Sequence, residues 1–355
     1  MKEIGVGVIG LGMGQCLLAL NEDPTSPFVV RGVCARSEAS ARRCAEHYGI
    51  PFWTTDYRAL VDRDDIDVIG VYSPDHLHAE HALAALRAGK HVVCTKPMVT
   101  SLEDALQIVE LVRRTGRKFL VGQTMRFDPE FLAIHRMYVD GDLGEPLFAE
   151  AHYVHDMRPV ARLTPWRVTA PQDLMFGGAC HPIDILRWFL GDVEEVHAYG
   201  TKSGMIPGYP LEDNFVINLR FKNGVIGRIL ALYGLVHPPM PMMGVSIFGR
   251  KASMRADYTD LQGGHIEVVY DKTEGHPVFR AEVPPVTEGA YGHGQAVARY
   301  MKHFAACLRG EEEPSPGALD GAKTVAVGAA AWESIRTGRP VKVFDAWERE
   351  AKGVG

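Results

Sequence analysis

Apolar residues in the first third of the chain fall in short runs separated by amphipathic stretches, a rhythm that predicts alternating strands and helices. Ile4 to Ile9 is an apolar run of strand length; glycines follow at 10, 12 and 14, then a helical pattern through Leu17, Leu18 and Leu20. Phe28 to Ala35 reads as a second strand, and Ser37 to Tyr48 as a helix whose solvent face carries Glu38, Arg42, Arg43 and Glu46. A short strand at Pro51 to Trp53 and a helix at Tyr57 to Val61 come next. Val68 to Tyr72 is a buried strand, His78 to Ala88 a helix stopped by Gly89, and His91 to Thr95 a further strand. Ser101 caps a helix that ends at Gly116, and Lys118 to Gly122 closes the series. Strands alternating with helices imply a parallel, doubly wound sheet that takes ligands at the carboxyl ends of its strands. The Gly10 turn and the strand ends at Ala35, Tyr72 and Thr95 therefore share one rim.

From about Met125 the pattern changes. A helix near Phe131 to Val139 stops at Asp140-Gly141, and a strand runs from about Leu147 to Val154. Ile183, Leu186 and Leu190 form a helical apolar stripe ended by Gly191. Asn214 to Tyr233 reads as two strands joined at Lys222-Asn223-Gly224, a hairpin signal. Val245 to Phe248 and Ile266 to Tyr270 add strands; Val297 to Leu308 and Leu319 to Thr337 are helices with Ala-rich packing faces. The prediction is a Rossmann-type α/β domain over 1–124, followed by an α+β domain over 125–355. The latter holds a large, mostly antiparallel sheet with helices on one face only.

At 355 residues and 46% hydrophobic content, the chain supports two cores. A net charge of -6 leaves no basic field, which argues against nucleic acid or an anionic membrane as main partner. No apolar run is long enough to span a bilayer, and Met1-Lys2-Glu3 runs straight into the first strand without room for a signal peptide. The cysteines at 16, 34, 44, 94, 180 and 307 lack C-x-x-C spacing and read as reduced thiols of a cytoplasmic protein.

Strand, glycine turn, helix is the order in which a dinucleotide pyrophosphate is gripped, so Gly10, Gly12, Met13 and Gly14 are candidate cofactor residues. The third glycine falls one place early, since G-x-G-x-x-G would need it where Gln15 stands. The second strand ends in Ala35-Arg36-Ser37, without the carboxylate that accepts the ribose 2′-hydroxyl of NAD. An arginine able to pair with a 2′-phosphate and a hydroxyl able to donate to it favour NADP over NAD.

Three further stretches carry candidate chemistry. Ser73-Pro74 follows the fourth strand, with His76, His78 and His81 close behind; their spacing is not that of a zinc site, and polar groups beside the nicotinamide ribose are the better reading. Thr95-Lys96-Pro97 puts a lysine on the rim, restricted by the proline to extended geometry. Beside an oxidised nicotinamide its ammonium would be destabilised, ready to share a proton with a substrate hydroxyl. In Gly177-Gly178-Ala179-Cys180-His181-Pro182, the proline fits only a first helical turn. His181 then sits near a helix N-terminus, which favours its neutral form, with Asp184 on the same face.

Together these stretches resemble the glucose–fructose oxidoreductase / inositol dehydrogenase / MocA family of NAD(P)-dependent oxidoreductases. The resemblance covers nearly the whole chain, and also takes in Arg126-Phe127, Trp166-Arg167 and Ser334 to Val343. It implies Lys96 and His181 as catalytic residues and Asp184 as a substrate contact. It also implies a C-terminal sheet whose open face is buried by another subunit, in a dimer or tetramer. Tyr153, His155, Trp166 and Arg167 suit a hydroxylated ligand, and Arg158 less so. There are two departures: Thr95 replaces a glutamate, and Gly177 stands where the family has an aspartate four residues before the histidine. Asp184, or Asp173, is then the candidate to orient the imidazole. The expectation is a dehydrogenase or reductase acting on a sugar, polyol or related molecule, with no metal. The rivals are a redox-neutral sugar enzyme with tightly held cofactor, and a dinucleotide-binding regulator.

Overall fold

A computed structural model describes residues 3–259, 263–271, 278–283 and 294–343. Met1-Lys2 and the predicted domain end at 344–355 lie outside the described residues. The chain divides into two compact units, Met1–Thr124 with Glu288–Ala322, and Met125–Thr287 with Lys323–Gly353.

The first unit is built on six parallel strands, β1 (Ile4–Ile9), β2 (Phe28–Cys34), β3 (Phe52–Thr54), β4 (Val68–Val71), β5 (His91–Thr95) and β6 (Phe119–Gly122). Their order is β3-β2-β1-β4-β5-β6, so the direction of winding reverses between β1 and β4. In open α/β sheets that reversal leaves a crevice at the carboxyl ends. Val6, Val8, Val68, Ile69, Val71, Val92 and Val93 are buried, as strands covered on both faces require. Helix ends follow local chemistry: Ser101 Oγ accepts the Asp104 N–H at the start of Leu102–Thr115, and Gly116 closes that helix at φ 65°. The segment after β1 differs from expectation in form, being a 3₁₀ helix over Met13–Asn21.

Helix Gly294–Leu308, which the sequence assigned to the second domain, packs with the first unit instead. Its apolar face of Val297, Tyr300, Met301 and Phe304 lies against β6 and the Met13–Asn21 helix, where the Tyr300 and Tyr72 hydroxyls hydrogen-bond. Chain order alone could not place this returning helix.

The second unit carries nine strands: β7 (Pro146–Val154), β8 (Val193–Thr201), β9 (Asn214–Phe221), β10 (Ile226–Leu232), β11 (Met243–Gly249), β12 (Ala252–Thr259), β13 (Gly263–Tyr270), β14 (Val278–Val283) and β15 (Val341–Lys342). They are ordered β14-β13-β12-β11-β7-β10-β9-β8-β15, and every pairing is antiparallel except β7 with β10. The predicted hairpin is β9–β10, its turn closed by Gly224 at φ 87°. Helix Cys180–Leu190 covers β7, β10 and β11, and helix Pro129–Val139 covers β12 and β13. Among the described residues the opposite face is open. Phe148 and Phe248 are paired there across β7 and β11, Ile226 and Tyr199 are exposed, and Arg228 meets Glu150 at 2.6 Å. Strands β8, β12, β14 and β15 were not legible beforehand. β8 opens on a break in register at Val193/Glu195, and β12 buries small residues such as Ala252 and Ala256. Among the described residues no helix is long and apolar enough to cross a membrane, and all six cysteines are free thiols.

Two histidines of the first unit tie its stability to pH. Burial lowers the pKa of both His81 and His91 to about 4, so both stay neutral in the fold. In the unfolded chain each takes up a proton below its ordinary value, near 6.5. The stability they contribute is complete above about pH 6.5 and is lost as pH falls towards 4. Thermal melts across that window should show the melting temperature falling by several degrees, with a shallower slope in His81→Gln. An unaltered slope in that variant would remove His81 from the acid sensitivity.

Candidate active site

The three glycines after β1 do three different things. Gly10 has φ 95°, and a Cβ there would overlap the Tyr72 carbonyl, so only glycine makes the turn. Around Gly12 a Cβ would meet nothing within 4 Å, leaving the backbone exposed to open space. At Gly14 a Cβ would stand 3.0 Å from Val8 Cγ1 and 3.1 Å from Tyr72 Cβ, so its absence lets the helix sit on the sheet. Tight turn, open approach and close packing are the tasks a pyrophosphate cradle sets its glycines. The early third glycine therefore does not spoil the fit to a dinucleotide, and Met13 begins the following helix.

At the end of β2, Arg36 and Ser37 are exposed and Ala35 is half-buried. Ser37 is the N-cap of helix Glu38–Tyr48, yet its side chain makes no capping hydrogen bond, which leaves the hydroxyl available. Asp56, beyond β3, caps helix Tyr57–Val61 by accepting the Arg58 N–H.

Beyond β4 the polar groups turn inward. Ser73 Oγ meets His81 Nδ1 at 2.8 Å, and the fully buried His78 ring lies between the carbonyls of Ser73, at 2.8 Å, and Pro97, at 2.7 Å. His78 thus stitches the β4 loop to the Lys96–Pro97 turn, whose peptide is cis. For Ser73 and His78 the observed partners are protein groups behind the rim, whereas the sequence suggested the ribose. Pro74, Thr95 and Lys96 are half-buried, with Lys96 immediately beyond the carboxyl end of β5. His76 is exposed, so the three histidines do not converge. Among the described residues the group spaced to hold a metal is His303, Cys307 and Glu312. Its imidazole is spent on Glu312, at 2.5 Å, and on accepting the Ser315 N–H.

In the second unit His181 lies in the first turn of helix Cys180–Leu190, as Pro182 required, and is 2% exposed. Around it the structure gathers side chains from separate strands. The Tyr153 ring, on β7, stands edge-on to His181 at 5.5 Å and to Tyr233 at 5.4 Å, while its hydroxyl lies 3.4 Å from His155 Nδ1. Tyr233 is fully buried, and its hydroxyl lies where a Cβ on Gly178 would be. Gly178 is therefore glycine to admit a tyrosine ring, and burial pushes that phenol's pKa well up. Tyr233 was missed as a site residue; its signal was an aromatic residue at the very end of a predicted strand, which is common elsewhere. Trp166 and Arg167 pair with each other, the guanidinium 4.6 Å from the indole centroid, and Arg167 also donates to Gln172 and Thr164. Arg158 is engaged by Asp156 at 2.7 Å.

Neither proposed stand-in for the missing aspartate is idle. Asp184 accepts from Arg126 Nε and Nη2, both at 2.7 Å, in a pair whose side chains are 2% and 6% exposed. Asp173 caps helix Leu174–Gly177 through Met175 N–H and accepts from Trp332 Nε1 at 2.9 Å. A fully desolvated pair is costly to break, because the survivor keeps an uncompensated charge. Asp184→Ala should lower unfolding free energy by about 3–5 kcal/mol in a denaturant titration. The double change Arg126→Met/Asp184→Leu should recover most of that loss. A single-variant loss below about 1 kcal/mol, the value of an exposed pair, would show that the bridge is not desolvated.

The family model described as the NAD-binding Rossmann fold of an oxidoreductase family matches residues 4–123, and the model of that family's C-terminal alpha/beta domain matches residues 137–343. Levoglucosan dehydrogenase of Pseudarthrobacter phenanthrenivorans is 25% identical, over 94% of this chain and 96% of that protein. Inositol 2-dehydrogenase 2 of Saccharopolyspora erythraea is 28% identical, over 96% and 95% respectively. A solved levoglucosan dehydrogenase, in complex with NADH and levoglucosan, shares the fold at a TM-score of 0.85 and 23% identity, covering 96% of this chain and 100% of that one. With both of its domain models matched in order along one chain, the protein belongs to the Gfo/Idh/MocA family of oxidoreductases.

Proposed function

We propose that this protein is an NADP-preferring dehydrogenase or reductase that interconverts a hydroxyl and a carbonyl on a sugar, polyol or sugar derivative. The observation that carries the reading is the division of labour among Gly10, Gly12 and Gly14, with Lys96 at the end of β5 on the same rim. Membership of an oxidoreductase family, and relatives named for inositol and levoglucosan, support this substrate class. When bound, the nicotinamide supplies the hydride chemistry. The protein's share is positioning and proton handling. Lys96 hydrogen-bonds the reacting oxygen and stabilises charge on it, and His181 takes or returns the hydroxyl proton. Tyr153 holds the imidazole ring edge-on, and His155, Trp166 and Arg167 meet substrate hydroxyls. Asp184 acts through Arg126, as a brace for the helix that carries His181.

Preference for NADP rests on Arg36 and Ser37, which are exposed where an NAD enzyme presents a carboxylate. The reading includes a homo-oligomer formed through the open sheet face around Phe148 and Phe248, in the cytoplasm. A redox-neutral reaction with retained cofactor is the second reading. It draws on Gly177 and on the commitments of Asp173 and Asp184, which make proton transfer at His181 differ from the family pattern.

The test is a cofactor-reduction screen over sugars, inositols and sugar acids with NAD and NADP; turnover without net change in cofactor would favour the second reading. On an accepted substrate, Lys96→Met should cut kcat by about 10²–10⁴-fold while dinucleotide affinity stays within about threefold; undiminished kcat takes the lysine out of the chemistry. Arg36→Ala should shift the NADP-to-NAD ratio of kcat/KM towards NAD by about tenfold, the loss of one charge-assisted contact to phosphate. A constant ratio would mean that this strand end does not read the 2′ position.

A further inference from the structure

The last strand of the first unit runs into two polar residues that the proposed chemistry does not use. Gln123 and Thr124 follow β6 directly, and the Gln123 N–H turns back to the Val121 carbonyl at 2.8 Å. They are buried, with 2% and 7% of their surface exposed, yet Gln123 Oε1 and Thr124 Oγ1 meet no hydrogen-bond partner among the described residues. Each such atom is costly, because a buried polar group has given up water without replacing it. The carboxyl end of β4 is different: there Ser73, His78 and His81 are all engaged by protein groups.

The neighbours of β6 supply packing. Its outer edge is closed by residues 316 and 317, where the Val121 N–H donates to the Pro316 carbonyl at 2.9 Å and Leu120 bridges to Gly317. On the inner edge Gly122 pairs with Thr95, and a Cβ on Gly122 would stand 3.3 Å from Thr95 Cα. Gln123 therefore leaves the sheet where β6 lies hard against the strand end that leads into Lys96.

The chemistry of the two orphaned atoms narrows the ligand. An amide oxygen only accepts, so its partner carries an N–H or O–H, which an ionised phosphate or carboxylate lacks. A doubly wound sheet holds one mononucleotide on each half. The end of β2, with Arg36 and Ser37, belongs to the adenosine half, which leaves the ends of β4 to β6 to the nicotinamide. The nicotinamide carboxamide has an NH₂ to donate and an oxygen to accept from a hydroxyl. We propose that Gln123 Oε1 accepts the carboxamide N–H and that the Thr124 hydroxyl donates to the carboxamide oxygen. Together they hold the ring against rotation beside Lys96. This contact depends on the dinucleotide reading of the glycine turn and adds to it the group that grips the far end of the cofactor.

Binding measured without any sugar tests it. The full chain is titrated with NADP or NAD, whichever it binds more tightly, and with the acetylpyridine analogue of that dinucleotide, whose methyl ketone lacks the N–H. The matching ADP-ribose, which lacks the ring, is the third ligand. Wild-type protein should favour the carboxamide over the acetyl compound by about three- to tenfold, the worth of one neutral hydrogen bond. Gln123→Met should erase that preference while ADP-ribose affinity stays within about twofold. Thr124→Val should weaken both ring-bearing ligands alike, since both keep the oxygen. The wild-type comparison needs no variant and stands whatever a substitution does to folding. No preference in the wild type, a preference that survives Gln123→Met, or an equal loss of ADP-ribose affinity would overturn the assignment and leave the dinucleotide reading in place. A surviving preference together with a raised KM for an accepted sugar would give the Gln123 oxygen to a substrate hydroxyl instead. Binding of none of the three ligands would bring down the dinucleotide reading and the assignment together.

Discussion

A chain of polar contacts around helix Cys180–Leu190, buried at Arg126, Asp184, Thr324 and Arg187, is the constraint on which the second unit rests. Arg126 holds both oxygens of Asp184, Thr324 reaches from Asp184 to Arg187, and Arg187 passes on to Asp192, which also accepts from Lys323. Its members come from three stretches far apart in sequence, at residue 126, at residues 184 to 192 and at residues 323 and 324. Taken alone, such a network is poor evidence of stability, since the cost of stripping water from two charges roughly matches their attraction. Its force lies in what it forbids: any shift of the helix that parts Asp184 from Arg126 strands a charge in a low dielectric. One address on the sheet is thereby singled out for the helix whose first turn holds His181.

The first unit is organised by steric exclusion instead. Gly10 is pressed against the Tyr72 carbonyl and Gly14 against Val8, while Gly12 faces open space. Two of the three positions are closed to side chains by the sheet itself, and the remaining one leaves a backbone that a phosphate can approach. The His78 ring then ties the β4 loop to the Lys96–Pro97 turn, fixing where the lysine leaves the backbone. Two histidines buried within hydrogen-bonding distance of protein groups thus serve the rim from behind.

Legibility in the sequence followed the range of the forces involved. The βα alternation, the Gly224 hairpin, the Ser101 cap and the first-turn position of His181 all rest on neighbours within a few residues, and each was readable. Strand β12, built on Ala252 and Ala256, has too little apolar contrast to announce itself. Tyr233 became visible as a site neighbour only when Gly178 was seen to vacate the space for its hydroxyl.

By itself, the sequence determined the family, the parallel sheet of the first unit and the glycine turn, because strand length, glycine placement and helix capping are properties of contiguous residues. It also offered Lys96 and His181 as the candidates to handle a proton. The tertiary structure alone decided that Asp184 serves Arg126, that Asp173 serves Trp332, and that helix Gly294–Leu308 returns to the first unit. A carboxylate will take whichever cation the fold brings within reach, and an apolar helix face whichever surface is left uncovered. Those choices depend on distance in space, which the order of residues does not contain.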